Sequence, residues 1–419
     1  MNPWFQGVVA RAEAKSDSLS PLRQGAVHSL KETTWPGRRT EHWKYTSLSV
    51  LENLELVHTP SNQELTVAAI ENVQTIDLLF VDGKLRTDLT ALQLPAGLTI
   101  SLLDKADGLQ YVIATSFFSQ IKPKRHLFGL VNDALANDIL FISVASKSII
   151  KPLIRIISHH SAGHEAHQRV LVRVQQAASV KIIEQIEGQG QHLSTNFTEF
   201  EVSEHANLEH YRLIQPSAEA LHFGGNHFCL HQHAVLNSTL LGFGSVLSRT
   251  DIDILHNGEH ANAKLNAISV LGDSAHFDLH SNVEHIKAHG KTTEQVRVIV
   301  GDKANAVFNG RIHIHPKAQK TQAALHNRNL LLSRRGQVNT KPELEIYADD
   351  VQCAHGATVA EIEEDALNYL QTRGIARDQA LVMLNVGFIQ ELINQLPDPH
   401  LAQWLNQGLL PRLKEIAIT

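Results

Sequence analysis

The chain has 419 residues, is 43% apolar and 19% charged, and carries a formal net charge of −6. Such a composition belongs to a soluble globular chain, and its acidic balance excludes a nucleic-acid binder held by a general basic surface. Its two cysteines, Cys229 and Cys353, exclude a disulfide framework and cannot by themselves supply the four thiolates of a typical cysteine-ligated cluster.

No apolar run approaches the roughly 18–20 residues of a membrane-spanning helix. Met1 to Ala10 has neither a basic start nor a long apolar stretch, so it does not read as a signal peptide and the expected location is the cytoplasm. Three regions are expected: 1–75 helical or mixed, 76–358 β-rich, and 359–419 helical.

In the first region Ser20-Pro21 predicts a helix start, with Ser20 as N-cap and Pro21 at the first helical position. The helix should run to about Thr33, and Trp35-Pro36-Gly37 should break it. In the second region short β-type runs dominate, such as Leu78 to Val81, Ile139 to Val144 and Val170 to Val174, with one helix expected from Phe128 to Asn137. Small residues open many of these runs. Ala178, Ala206, Ala234, Ala261, Ala275 and Ala304 recur at intervals of 27–29 residues, with one half-interval of 14. A unit near 28 residues built from two halves predicts a β-solenoid of stacked coils. A β-sandwich also gives short strands at close spacing, but it does not explain the repeat.

In the third region Glu361, Glu363, Glu364 and Asp365 suit the start of a helix, with Arg373 in its last turn and Gly374 as the residue just past its end. A second helix is predicted over Asp378 to Leu396, with Leu381, Leu384, Phe388 and Leu392 as one apolar stripe. That stripe docks either on the chain's own core or on a partner. Pro397 and Pro399 end it, and a last helix fits His400 to Glu415.

Histidine is abundant, at 26 residues. His159-His160, His231-Gln232-His233 and His313-Ile314-His315 have the look of ligand clusters, although alternate strand residues share a face whether or not a metal binds. Ala288-His289-Gly290-Lys291-Thr292 fails as a phosphate-binding loop because His285 stands where the first glycine belongs. No H-E-x-x-H and no G-x-S-x-G is present. Asp251-Ile252-Asp253 and Asp349-Asp350 are the carboxylate pairs that a carbohydrate-cleaving solenoid would need, and both read better as turn or surface features. Cys353 and His355 stand at i and i+2, so on a strand they project from one face, with Gly356 permitting a sharp turn just beyond. A thiolate and an imidazole suit iron, zinc or copper(I); a buried cysteine beside a hydrogen-bonded histidine is the bland alternative.

The segment Thr340 to Val359 resembles the C-terminal signature of the SUF iron–sulfur assembly scaffolds. The likeness continues in Tyr369 to Ile375, Val307 to Gly310, Asn327 to Leu332, Glu41 to Thr46 and Phe128 to Val144, and spans about residues 39–395. Ser333 to Thr340 lacks the cysteine of a SufB-type loop, and His355-Gly356-Ala357-Thr358 replaces the SufB-type H-E-A-T, so the resemblance is to the SufD branch.

That resemblance implies a right-handed parallel β-helix between helical ends, and a scaffold rather than an enzyme. It implies pairing with SufB and with a SufC ATPase, and a transient iron–sulfur cluster shared with SufB. No nucleotide would be bound by this chain itself. His355 matches the family's cluster-site histidine and Cys353 a nearby cysteine of less certain role. The helices carrying Tyr369, Arg373, Gly374, Leu381 and Phe388 would contact SufC. In isolation the chain could pair with a second copy through the surface that SufB covers. A β-helix carbohydrate enzyme and a free-standing histidine-rich metal binder are the rival readings.

Overall fold

In the computed structural model of the chain, residues 2–418 are described except 53, 124 and 125. The β region opens with β1 (Thr75–Val81), β2 (Lys84–Leu85), β3 (Leu98–Leu102) and β4 (Ile139–Val144). Then come β5 (Leu153–His160), β6 (Glu165–Val174), β7 (Ser179–Gly188), β8 (Leu193–Val202) and β9 (Asn207–Gln215). Next are β10 (Leu221–Leu230), β11 (Val235–Gly242), β12 (Leu247–His256), β13 (Asn262–Leu271) and β14 (His276–His285). The last coils are β15 (Lys291–Val300), β16 (Asn305–Ile314), β17 (Gln322–Leu331), β18 (Gln337–Ile346) and β19 (Gln352–Glu361).

From β4 onward strands alternate between two sheets, and each pairs in parallel with the strand one coil away. One sheet runs from β5 through the odd-numbered strands to β19, the other from β4 through the even-numbered strands to β18. The molecule is therefore a parallel β-solenoid of about eight coils, and the sandwich is excluded. The 28-residue period is the register itself: Val180 pairs with Leu208 and Leu208 with Leu236. The half-period is the step between sheets.

The repeated alanines explain how the coil turns. Ala178, Ala206, Ala234, Ala261 and Ala304 are all buried at the corner leading into a strand. The residue before four of them takes a left-handed φ: Ala177, His205, His233 and His260 at 56°, 57°, 56° and 58°. His289 does so at 62° in front of Gly290. Histidine tolerates this region better than most side chains. Repetition of the corner stacks His205, His233, His260 and His289 into an exposed column, with ring centroids 4.7, 4.8 and 4.4 Å apart. Part of the histidine excess is thus corner chemistry.

Helices cover the outer faces. The N-terminal helices α1 (Pro3–Ala14) and α2 (Ser20–Glu32) lie with the later α4 (Leu127–Leu135), preceded by α3 (Gly108–Phe117). Trp4, Phe5, Leu30, Leu127 and Phe128 pack over Phe197, Phe223 and Leu247 of the even-numbered sheet. On the other face lie α5 (Glu364–Thr372), α6 (Arg377–Asn394) and α7 (Pro399–Ile418). Leu401, Leu405, Leu409 and Leu413 of α7 form a buried stripe over Tyr211, Leu241, Ile268 and Ile299.

Several expectations are corrected. Ser20 is not an N-cap but the first helical residue; Leu19 takes the cap position and donates no side chain. Glu361 belongs to β19 rather than to a helix, and Arg373 is the C-cap of α5. Gly374 does sit past that end at φ 83°, where its N–H reaches Gln371 and the next N–H reaches Leu370. The buried face of α6 is rotated from the predicted stripe: Ala380, Ile389, Leu392 and Ile393 are buried, while Leu381, Leu384 and Phe388 are half-buried. The guanidiniums of Arg297 and Arg328 lie 5.6 and 5.7 Å from the centre of the Phe388 ring, so it packs against the chain's own solenoid.

The solenoid interior is not wholly apolar. Ile182, Glu184 and Ile186 share the inward face of β7. Glu184 accepts from Arg212 Nη1 at 2.7 Å and Asn226 Nδ2 at 2.7 Å, and also from Thr198, so strands of both sheets meet on one buried carboxylate. Burial alone would raise its pKa. The Arg212 guanidinium, with a hydrogen bond from His210, outweighs burial and holds Glu184 at about 2.

Candidate functional site

Among the described residues the last coil has no successor: β18 pairs only with β16, and β19 only with β17. Both strands carry partly or fully exposed residues over their whole length, whereas at least half of each of the two strands before them is buried. Pro342 in the middle of β18 lacks an N–H, which an edge strand tolerates. Beside it, Gly310 is required by space: a Cβ there would sit 2.6 Å from Leu325 Cδ1 and 2.6 Å from the Phe308 ring.

Cys353 and His355 lie on β19, and the strand continues straight through Gly356 to Glu361. The sharp turn that Gly356 would permit after His355 is not made: Gly356 is extended and pairs with His326. Register shows which way the two side chains face. Cys353 follows Ala263, Thr292 and Ala323 along the sheet, and His355 follows Leu265, Glu294 and Leu325. Ala263, Leu265, Ala323 and Leu325 are core residues. Cys353 and His355 therefore occupy core columns, at a level where no further coil covers them. Cys353 is half-buried against the core and His355 is exposed.

The strand is anchored from within. Asn329 Nδ2 donates to the Thr358 carbonyl at 2.9 Å, and Asn327 Oδ1 accepts from Asn329 at 2.6 Å and from Thr340 Oγ1 at 2.8 Å. These amides of the Asn327 to Leu332 block tie β17 to both terminal strands. Burial pushes the Cys353 thiol above its ordinary value, which favours its protonated form. Among the described residues, neither belongs to a group of three or more metal-ligating side chains within 4.8 Å of one another. At this end the chain offers at most part of a coordination sphere.

Tyr369, Arg373 and Gly374 lie far along the chain on and just after α5. Tyr369 is 60% exposed, with the Arg373 guanidinium 5.3 Å over its ring. Met383 of α6 is exposed too. Leu381 and Phe388 are less available.

One cleft escaped the sequence reading. It has a volume of about 400 Å³ and lies between residues 40–43 and the outer face of the even-numbered sheet. Trp43 stacks under the Arg249 guanidinium at 4.0 Å. Asp251 and Asp253 line the cleft from β12 and are buried, so they are strand residues rather than the turn or surface pair expected; Asp349 and Asp350 do lie in an exposed turn. His126 Nε2 and His227 Nδ1 contact Asp253 Oδ2 at 2.7 and 2.8 Å. Burial opposes charge at both aspartates. Arg249, with His126 and His280, outweighs it at Asp251; His126 and His227 do so at Asp253. Both stay ionised, so neither suits the protonated acid of glycoside hydrolysis. Its walls come from seven separate segments, which only the fold brings together.

Two family descriptions match the chain: SufBD protein N-terminal region over residues 7–156, and SUF system FeS cluster assembly, SufBD core domain, over residues 156–388. The chain belongs to the SufBD family. It is 30% identical over 403 residues to the iron–sulfur cluster assembly protein SufD of Escherichia coli (strain K12), covering 93% of this chain and 92% of that one. It is 28% identical over 398 residues to an iron–sulfur cluster assembly SufBD family protein of Synechocystis, covering 90% and 87%. A chloroplastic protein of Arabidopsis thaliana is 25% identical over 425 residues, covering 93% and 87%. Membership places this SufBD protein in iron–sulfur cluster assembly. Among the described residues no helix is long and apolar enough to cross a membrane.

Proposed function

We propose that the chain is the SufD-type, non-catalytic scaffold half of a cytoplasmic SUF complex. It pairs with a SufB subunit at the open end of its solenoid, and a nascent iron–sulfur cluster forms across that junction. The observation that carries this reading is the placement of His355 in a core column of an uncovered terminal coil. A polar side chain there becomes buried once a second solenoid abuts the end. Two edge strands with free backbone groups are ready templates for a partner's strands.

In that junction His355 supplies one neutral imidazole and the partner supplies thiolate. Imidazole is displaced on protonation or exchange, which suits a cluster that is handed on. Cys353, as a thiol, is a secondary ligand at most. The exposed face around Tyr369, Arg373 and Met383 is the proposed contact for the ATPase, with Gly374 shaping the α5–α6 corner. Leu381 and Phe388 support that face from below. The chain itself binds no nucleotide, and an isolated chain pairs with a second copy through the same edges.

The test is co-expression of His355→Ala with SufB and SufC, followed by iron and sulfide analysis of the purified complex and complementation of a strain lacking this subunit. Cluster content should fall sharply while the complex still assembles. Normal cluster content would overturn the assignment.

A further inference from the structure

His313 is the penultimate residue of strand β16 and His315 follows its end; His313 points to the outer face of the even-numbered sheet, opposite in direction to Ile312 and Ile314 of the core, and His315 stacks beside it. Their rings stack with centroids 4.1 Å apart and an interplanar angle of 22°. Tyr347 closes one side, its ring edge-on to His313 at 5.3 Å. From the neighbouring strand β14, Glu284 brings Oε2 to 3.0 Å from His313 Nδ1 and 2.7 Å from His315 Nε2. The other carboxylate oxygen, Oε1, is held by Arg311 Nη1 at 2.7 Å.

Hydrogen bonding alone does not satisfy this arrangement. Arg311 Nη2 also lies 2.8 Å from His313 Nδ1. One ring nitrogen cannot donate to the carboxylate and accept from the guanidinium at once. With Nδ1 unprotonated, its lone pair faces Oε2; with Nδ1 protonated, its hydrogen faces those of Arg311. A cation between the two imidazoles and Oε2 removes the conflict, because both nitrogens then present lone pairs to it. Arg311 loses little, since Glu345 already takes its Nε and Nη2 at 2.8 Å each.

We propose that Glu284, His313 and His315 bind one borderline divalent transition-metal ion, Fe(II) or Zn(II) in class. Two imidazoles and a carboxylate on one side of the ion suit these metals and leave the other positions for water or a further ligand. Side-chain exposures of 24% for Glu284, 17% for His313 and 36% for His315 leave an entry path. The ion would sit on the opposite sheet from His355, and none of its three ligands lies on β18 or β19.

Co(II) is the probe, because its visible spectrum reports the ligand set. The intact purified chain is titrated with Co(II), and then with Zn(II) in a calorimeter. One equivalent should bind with a defined visible band. In His315→Ala and in the shape-preserving Glu284→Gln, that equivalent should weaken by at least about tenfold, with circular dichroism unchanged. His355→Ala and the corner substitution His233→Ala should keep it. Equal stoichiometry and affinity in the wild type and both site variants would mean adventitious binding by surface histidines, and would overturn the proposal.

Discussion

Asn329 reaches from the penultimate coil to the Thr358 carbonyl at 2.9 Å, and so fixes the strand that displays His355. A terminal strand has one neighbour and would fray without such a tie. Replacing Asn329 with Ala removes the bond and unpairs Asn327 Oδ1 from one donor. The expected loss is about 1–3 kcal/mol, read by urea unfolding, with faster amide exchange confined to 352–361.

The Glu184–Arg212 pair is a stronger constraint, because each partner is enclosed by both sheets. Arg212→Met strands a buried carboxylate, and a loss of about 3–5 kcal/mol is expected in thermal or chemical unfolding. The pH dependence follows from the depressed pKa of Glu184. Its contribution is present above the ordinary carboxyl value of 4.5 and is lost as pH falls from there toward about 2.

Glu294 behaves in the opposite sense. It sits among Leu265 and Leu325 in the core, and burial, opposed only by a hydrogen bond from Ser281, pushes it up to about 7. The unfolded chain releases this proton near 4.5, so stability declines as pH rises from 4.5 to about 7 and stays reduced above it. Glu294→Gln should therefore stabilise the chain at pH 8, by up to about 3 kcal/mol, and leave it nearly unchanged at pH 4. Equal effects at both pH values would contradict the buried, protonated acid.

For the helical face, Tyr369→Asp combined with Met383→Asp should abolish co-purification with the ATPase while leaving the melting temperature within a few degrees. Both side chains are exposed, so no core is lost. Retention of the ATPase would place its contact elsewhere.

Much of this fold was legible because a solenoid writes its geometry into spacing. Ala178, Ala206 and Ala234 recur because each must fit the same crowded corner, and the corner is local. The site was legible only in part. Cys353 and His355 could be paired by strand alternation, yet their significance depends on register with Leu265 and Leu325, and on there being no coil after β19. Register across coils is not local. The straight run through Gly356 had the same cause: pairing with β17 overrides the freedom of a glycine. A carboxylate pair normally avoids burial, so Asp251 and Asp253 look like turn or surface residues by pattern, and only the fold brings Arg249, His126 and His227 to neutralise them. Glu184 lay unmarked in a strand that alternates acceptably by pattern.

The proposed function requires that the open end of the solenoid receive a partner. Amide hydrogen exchange over 337–346 and 352–361 measures this directly, comparing the dilute chain alone with the chain bound to SufB. Rapid exchange is expected on the free edges, and strong protection of both strands in the complex, centred on the stretch around His355. Unchanged exchange along β18 and β19 in a stable complex would contradict it.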